Sequence, residues 1–233
     1  MSEKVYEQTG VAMTCRSYAE YERMFALRHI DLNEGPILDV AAGASSFVAE
    51  ASARGFRAQA ADPLYGMDPD AIQAHGQSEI ESSTQKLAGI REVFDWSYYG
   101  SLERHRELRE QSLRLFMDDF RKSAGAGKYT PAGLPELPFD NDSFSLVLCS
   151  HFLFLYNDML GESFHLQAIR ELLRVGKRGG RVLIYPLHSL RWVRYPQLDS
   201  LLSELRHDGV AAEMGKSELP FIPGSTEFLC LRK

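Results

Sequence analysis

The chain has 233 residues, a hydrophobic content of 44% and a formal net charge of −6. This length predicts one sizeable α/β domain, residues 1–233, with a single core. The acidic balance argues against broad binding to nucleic acids or anionic membranes, since both require a basic surface. Arginines and lysines do cluster at 170–194. We expect a solvated helix end and loop there, with contact to an anionic ligand or partner as the alternative.

The cysteines and the apolar pattern predict a cytoplasmic protein. Cys15, Cys149 and Cys230 are isolated from one another, so neither a zinc site nor a disulfide framework is expected. The first ten residues contain acidic side chains and no apolar core of a signal peptide. The longest apolar stretch, 144–156, is interrupted by polar residues and is too short to span a bilayer.

The first elements form a βαβ unit. Ser17 and Glu20 have the spacing of a capping box, and the apolar residues that follow predict a helix within 17–30. Next come a predicted strand at 37–41, a helix at 47–53 and a strand at 56–62. Such units build parallel sheets with right-handed crossovers.

The segment 64–127 differs from the rest of the chain. It lacks strand-like runs and places leucine and phenylalanine near helical spacing within 101–123. Because it is far longer than one crossover helix, it predicts an α-helical insertion or cap, with a partly disordered excursion as the alternative. Its Trp96, Tyr98 and Tyr99 either line an acceptor pocket or form the insertion's own small core.

The α/β alternation resumes after residue 128. In chain order we predict a strand at 145–150, a helix at 164–176, a strand at 180–187, a helix at 195–209, and strands at 210–215 and 227–233. The link between the last two strands is short and rich in proline and glycine, so it cannot hold a crossover helix. We therefore expect this final pair to be antiparallel.

In an open parallel sheet, ligands bind beyond the carboxyl ends of the strands. Asp62 ends its predicted strand 23 residues after Asp39, where an acid can accept hydrogen bonds from both hydroxyls of a ribose. The alternative is an ordinary turn or cap aspartate before Pro63.

Four segments in this order resemble the class I S-adenosylmethionine-dependent methyltransferases. They are ILDVAAGASSF (37–47), AADP (60–63), LPELPFDNDSFSLVLCSHFLFLY (134–156) and RELLRVGKRGGRVLIYPL (170–187). The resemblance covers most of the chain from about residue 35, apart from the insertion. It implies a Rossmann-like, seven-stranded, mostly parallel sheet with an antiparallel last strand and helices on both faces.

The resemblance also implies a cofactor, S-adenosyl-L-methionine, and roles for individual residues. Asp39 matches the acid that orients the turn and reaches the methionine ammonium, and Asp62 matches the ribose acid. The family's three glycine positions hold Ala41, Gly43 and Ser45, so two of them depart from the pattern.

The adenine site is less well defined. The acid that often holds the adenine amino group would fall near Gly133, which cannot supply a carboxylate. The remaining candidates for adenine recognition are backbone groups around Leu134, or Glu136. Pro63 is also expected to contact the cofactor.

Several further residues are candidates for the site. His151 is a candidate base, a contact residue or a structural histidine, and His188 is a second candidate base. Arg16 could pair with the cofactor carboxylate. Contacts to the cofactor are also expected from Ser45, Ser46 and Ser150. No metal site is expected.

The predicted activity is methyl transfer to a small or medium-sized molecule. A structured RNA is an alternative acceptor, and a methyltransferase-like binding scaffold is an alternative function. An NAD-dependent oxidoreductase requires a glycine-rich loop, and its positions hold Ala41, Gly43 and Ser46 here. A loop with one glycine is better suited to a cofactor without phosphate.

Overall fold

The computed structural model describes residue 6 and residues 8–233. A seven-stranded sheet has the strand order β3-β2-β1-β4-β5-β7-β6. Its strands are β1 (Ile37–Val40), β2 (Ala58–Ala61), β3 (Tyr129–Thr130), β4 (Phe144–Ser150), β5 (Gly176–Tyr185), β6 (Ala211–Lys216) and β7 (Glu227–Arg232). The α-helices are α1 (Tyr18–Met24), α2 (Phe47–Ala53), α3 (Pro69–Gly89), α4 (Leu102–Lys122), α5 (Glu162–Val175) and α6 (Leu198–His207).

The sheet is parallel except at β7. Strands β1 to β5 pair in parallel, whereas β7 runs antiparallel to both β5 and β6. Strands β1 and β4 are buried because both faces of the central sheet are covered. The predicted fold class, including the antiparallel terminal pair, is confirmed.

The observed elements differ from the predictions in detail. Strand β3 was not predicted, because it has only two residues and is held to β2 by backbone pairing. Strand β2 is shorter than 56–62. Helix α1 ends early because Ala26 adopts a left-handed conformation, with φ of 50°, before a short 3-10 turn at Leu27–His29.

Two apolar layers cover the two faces of the sheet. One contains residues of α1, α2, α3 and α4, together with the aromatic side chains of Tyr65 and Phe116. The other contains residues of α5 and α6. The segment between β2 and β3 thus contains two 21-residue helices, and α4 contributes directly to the main core.

Two sequence predictions concern the surface. Four arginines of the basic stretch form ion pairs with acidic side chains: Arg170, Arg174, Arg191 and Arg194. Much of its positive charge is therefore paired within the chain. Among the described residues, no helix is both long and apolar enough to cross a membrane, and no cluster of metal-ligating side chains is found.

Candidate functional site

The turn between β1 and α2 has a backbone that side chains rarely adopt. Ala41 and Gly43 both have positive φ, 55° and 56°. A Cβ atom on Gly43 would lie 3.0 Å from the carbonyl oxygen of Thr14, which packs over the turn. Glycine is therefore required at position 43 for both conformation and space, whereas Ala41 tolerates a strained conformation.

Asp62 joins this turn to the end of β2. Its Oδ2 accepts a hydrogen bond from the Gly43 N–H at 2.9 Å, and its Oδ1 accepts one from the Leu64 N–H at 2.9 Å. Burial raises the pKa of Asp62, and the two backbone donors oppose this shift. A carboxylate has about four acceptor positions, so two remain for a ligand. The hydroxyl of Tyr65 donates to the Gly43 carbonyl oxygen at 2.9 Å and holds the turn from the other side.

A cavity of about 400 Å³ opens beside this turn, and we call it the strand-end cavity. It lies beyond the carboxyl ends of β1, β2 and β4, at the point where the strand order reverses. Its lining includes Ala41, Gly43, Asp62, Pro63, Gly133, Leu134, His151, Phe152 and the segment 11–14. The structure thus brings together six of the residues predicted to hold the cofactor: Ala41, Gly43, Asp62, Pro63, Leu134 and His151. Glu136 is exposed and does not line it.

Asp39 lies beneath the turn and not in the lining of this cavity. It is fully buried, and within the described part of the chain no hydrogen bond of good geometry reaches its carboxylate oxygens, although the Tyr21 hydroxyl lies near enough to favour the charged form. Burial raises the pKa of Asp39 well above its usual range, the hydroxyl of Tyr21 opposes this and the charge of Asp62 adds to it. The predicted ammonium contact would thus have to reach a carboxylate that the cavity does not expose.

The two serines of the turn make contacts inside the protein. Ser45 Oγ donates to the carbonyl oxygen of Arg16 at 2.7 Å and accepts from the Phe47 N–H at 3.1 Å. Ser46 Oγ donates to Glu50 at 2.8 Å. Neither serine lines the strand-end cavity. The serines connect the segment around Arg16 to the start of α2, and Ser45 accepts a hydrogen bond from the first backbone N–H of that helix.

His151 follows β4 in a left-handed conformation, with φ of 54°. Its Nδ1 lies 2.8 Å from Ser150 Oγ, and its backbone N–H donates to the Tyr185 carbonyl oxygen at 2.6 Å. Burial lowers the pKa of His151 well below its usual range, and the cations Arg16 and Arg109 lower it further. The ring is therefore neutral near pH 7. Ser150 positions this ring and does not itself line the cavity.

A second cavity, of about 110 Å³, adjoins the first, and we call it the aromatic cavity. Residues 12–14 and His151 line both cavities and separate them. Aromatic rings form much of the wall: Tyr6, Phe94, Tyr156, Trp192 and Phe221. Charged and polar side chains also line it, among them Arg16, Glu79, His105 and Arg109.

A buried ion pair stands behind this cavity. Glu20 Oε1 accepts hydrogen bonds from Arg109 Nη2 and from the Tyr99 hydroxyl, each at 2.6 Å, and its Oε2 accepts from the Ser17 N–H at 2.8 Å. Burial would raise the pKa of Glu20, but the cations Arg109 and Arg16 outweigh it and hold the pKa at about 2. This network fixes α1 against α4.

Sequence reasoning missed the contribution of α4 to this cavity. The residues His105, Arg109, Ser112 and Phe116 recur at helical spacing on one face and are all buried. Polar residues that occupy the buried face of an amphipathic helix, where apolar residues are expected, indicate a polar site inside the protein. This signal could have been read from the sequence.

Three further groups of residues from the sequence analysis lie outside the strand-end cavity. The side chain of Arg16 lines the aromatic cavity and not the strand-end cavity, because its carbonyl oxygen is held by the serines while its guanidinium lies 3.5 Å from Glu20. His188 lines neither cavity. Trp96, Tyr98 and Tyr99 also line neither, since they pack behind the wall; Phe94, His105 and Arg109 line the cavity from the same segment.

Comparison with known proteins found solved structures that resemble this chain. A glycopeptide N-methyltransferase, solved in complex with S-adenosyl-L-methionine, superposes with a TM-score of 0.50 at 11% identity, over 97% of this chain and 98% of that one. An O-methyltransferase family protein from Burkholderia thailandensis gives a TM-score of 0.49 at 10% identity, over 92% of this chain and 56% of that one. No family model matches the sequence.

The chain has the fold of the class I S-adenosylmethionine-dependent methyltransferases. Among curated proteins, an uncharacterized protein of Methanocaldococcus jannaschii is 31% identical over 219 residues, which cover 94% of each chain. The chain belongs to the same family as that archaeal protein.

Proposed function

We propose that this protein transfers a methyl group from S-adenosyl-L-methionine to a small or medium-sized molecule. The observation that carries the proposal is the strand-end cavity, where Asp62 and the turn around Gly43 meet beside His151. A cavity at the switch point of a class I methyltransferase fold is the place where this fold holds its ligand.

The residues of this cavity fit the parts of the cofactor. The free acceptor positions of Asp62 suit the two ribose hydroxyls, and Pro63 and Leu134 supply an apolar surface for the adenine ring. The methionine part would lie along the lining that Gly43 and Thr14 contribute to the cavity. When bound, the cofactor supplies a methyl group already activated on a sulfonium, so the protein has mainly to align the reactants and exclude water.

His151 is suited to contact and positioning. A proton acceptor is effective when its pKa lies near the working pH, and the pKa of this ring is far below it. A neutral ring also adds no positive charge beside a sulfonium. Its place in the wall between the two cavities lets it touch both reactants.

Calorimetry tests the cofactor assignment. The protein is titrated with S-adenosylmethionine, S-adenosylhomocysteine and NAD. Binding of the first two without binding of NAD is expected. Preferential binding of NAD, or no response to any of the three, would overturn the proposal.

Asp62→Ala tests the ribose contact. We expect the free energy of S-adenosylmethionine binding to weaken by about 1 to 3 kcal/mol, because charge-assisted hydrogen bonds are lost. Asp68→Ala is the matched control, since Asp68 also caps a helix through backbone N–H groups but does not line the cavity. Equal affinity of Asp62→Ala and wild type would remove Asp62 from the ribose site.

A further inference from the structure

Two hydrogen-bond donors of the aromatic cavity lack a protein acceptor. Arg16 is 8% exposed, and its Nε has no partner among the described residues. His105 is 4% exposed, and its Nδ1 is equally without a partner there. Both residues line the same cavity. Buried polar atoms in native proteins are normally satisfied, so two orphans in one cavity indicate a ligand or ordered water.

The tautomer of His105 follows from its neighbour. His105 Nε2 lies 3.3 Å from Arg109 Nη2, and a guanidinium can only donate, so Nε2 accepts. Burial, with the nearby cations Arg109 and Arg16, lowers the pKa of His105 to about 2, so the ring is neutral. Its single proton is therefore on Nδ1. The unpartnered atom is a donor, as is Arg16 Nε.

The guanidinium of Arg16 makes no hydrogen bond to Glu20. The two oxygens of Glu20 already accept from Arg109, Tyr99 and Ser17 at 2.6 to 2.9 Å. The shortest approach of Arg16 to this carboxylate is 3.5 Å, and no hydrogen bond joins them. Arg109, in contrast, is committed to Glu20 and to the carbonyl oxygen of Cys15. Within the described residues Arg16 Nε is therefore left without an acceptor, and the Arg16 side chain is part of the wall of the cavity.

The remaining wall defines the shape of the occupant. A cavity of about 110 Å³ is smaller than the roughly 150 Å³ that holds one benzene ring, so the occupant can be no larger than a single ring unless it extends into the adjoining strand-end cavity. Phe94, Trp192 and Phe221 pack against one another in this wall, with Phe94 stacked on Phe221 at 4.8 Å, and they make the lining largely aromatic. Because Arg16 Nε and His105 Nδ1 are both hydrogen-bond donors, the occupant must carry acceptor atoms. A carboxylate supplies two acceptor oxygens in one plane.

We propose that the aromatic cavity holds the methyl acceptor, and that this acceptor is a planar, aromatic molecule whose carboxylate binds Arg16 and His105. This inference rests on the proposed function, because it names the substrate class of the same site. His151 lines both cavities, so the end of such a molecule opposite its carboxylate would lie toward the strand-end cavity.

One acidic residue of the wall opposes an anion and provides a test. Glu79 is half-buried on α3; burial raises the pKa of Tyr6 and of Tyr156, and the charge of Glu79 adds to both shifts. Glu79→Gln removes this repulsion without shortening the side chain. An anionic ligand should therefore bind more tightly to this variant, whereas a neutral ligand of the same shape should not.

The experiment measures binding to the full chain saturated with S-adenosylhomocysteine. Benzoate and salicylate are titrated by calorimetry, with benzamide as the neutral analogue of the same shape and benzylamine as the cationic one. We expect benzoate to bind at least about tenfold more tightly than benzamide, since a charge-assisted pair replaces a neutral one. Benzylamine should bind more weakly than either.

Variants identify the residues responsible. Arg16→Gln should abolish the preference for benzoate, Arg16→Lys should retain part of it, and Glu79→Gln should increase it. Arg23→Gln is the matched control, because Arg23 is an exposed arginine on α1, the helix that follows Arg16, and it lines neither cavity. Circular dichroism and the affinity for S-adenosylhomocysteine show that each variant is folded.

The outcomes separate this inference from the proposed function. If S-adenosylhomocysteine does not bind the wild type, the proposed function fails. If it binds, but benzoate does not exceed benzamide or does not bind at millimolar concentration, the carboxylate-bearing acceptor is wrong while the cofactor assignment stands. An unchanged preference in Arg16→Gln has the same meaning.

Discussion

Two fully buried carboxylates of this protein, Glu20 and Asp39, have opposite surroundings. Glu20 is fully buried and is bonded to Arg109, Tyr99 and Ser17, and its pKa is held at about 2. Asp39 is equally buried, makes no hydrogen bond of good geometry to any described residue and has a raised pKa. A paired buried charge holds elements together, whereas an unpaired one costs stability and needs a functional reason.

This difference distinguishes a carboxylate that holds two helices together from one that lies next to the candidate site. Glu20 and Arg109 fix α1 to α4 and form the back of the aromatic cavity. Asp39 lies under the turn that leads into the strand-end cavity, where a cationic ligand group would improve its surroundings. The comparison therefore predicts opposite effects when each acid is replaced by its amide.

The largest effect is expected for Glu20→Gln. This change leaves the buried Arg109 without a counter-charge, so the free energy of unfolding should fall by about 3 to 5 kcal/mol. Urea denaturation at pH 7 measures it. Glu107→Gln is the control, because Glu107 pairs with Arg104 at the exposed surface and should cost less than about 1 kcal/mol. A loss for Glu20→Gln no greater than that of the control would show that the pair does not hold the helices.

Asp39→Asn should have the opposite sign. Removing an ionisable group without partners should leave the free energy of unfolding unchanged or raise it by about 1 kcal/mol at pH 8. Under the proposed function, affinity for S-adenosylmethionine should nevertheless fall, by calorimetry, because the methionine ammonium loses a negative partner. A destabilisation as large as that of Glu20→Gln would contradict the comparison.

The two acids should also differ in pH dependence. The folded pKa of Glu20 is lower than its ordinary value of 4.5, so its contribution to stability is present above that value and is lost as the pH falls toward about 2. Asp39 has a raised folded pKa, so its contribution falls as the pH rises above 3.8.

Urea denaturation at pH 3, 5 and 8 separates these trends. The difference between wild type and Glu20→Gln should shrink from pH 5 to pH 3. The advantage of Asp39→Asn should grow from pH 5 to pH 8. Parallel curves for all three proteins would show that neither carboxyl has a shifted pKa.

The smallest effect concerns the turn that joins the two regions. Ala41 has a positive φ, which a glycine adopts without strain, so Ala41→Gly should stabilise the protein by up to about 1 kcal/mol. Ala51→Gly, within α2, is the control and should destabilise by about 0.5 to 1 kcal/mol. Thermal unfolding of both variants decides; destabilisation by both would mean that the turn is not strained at Ala41.

Much of the fold was readable because its signals are local. Strands β1 and β4 are short, mostly apolar runs, and the short final connection excluded a crossover. The position of Asp62 was readable for the same reason, as it ends a strand after a strand, turn and helix. Strand β3 could not be found, because two residues carry no periodicity.

The aromatic cavity was less accessible to sequence reasoning. Its wall comes from segments far apart in the chain, such as 12–16, Arg109 and Phe221, and no local pattern records such a meeting. Arg16 was expected beside the cofactor, and only the tertiary contacts of Ser45 with its carbonyl oxygen determine where its side chain goes.

The wall formed by residues 12–14 and His151 is common to both cavities. A ligand that orders this wall from one cavity also changes the free energy with which the other cavity binds its own ligand. Thermodynamic linkage then requires reciprocity: the factor by which S-adenosylhomocysteine alters the affinity for benzoate must equal the factor by which benzoate alters the affinity for S-adenosylhomocysteine. A thin shared partition thus makes heterotropic cooperativity between the two ligands an expected property of this protein.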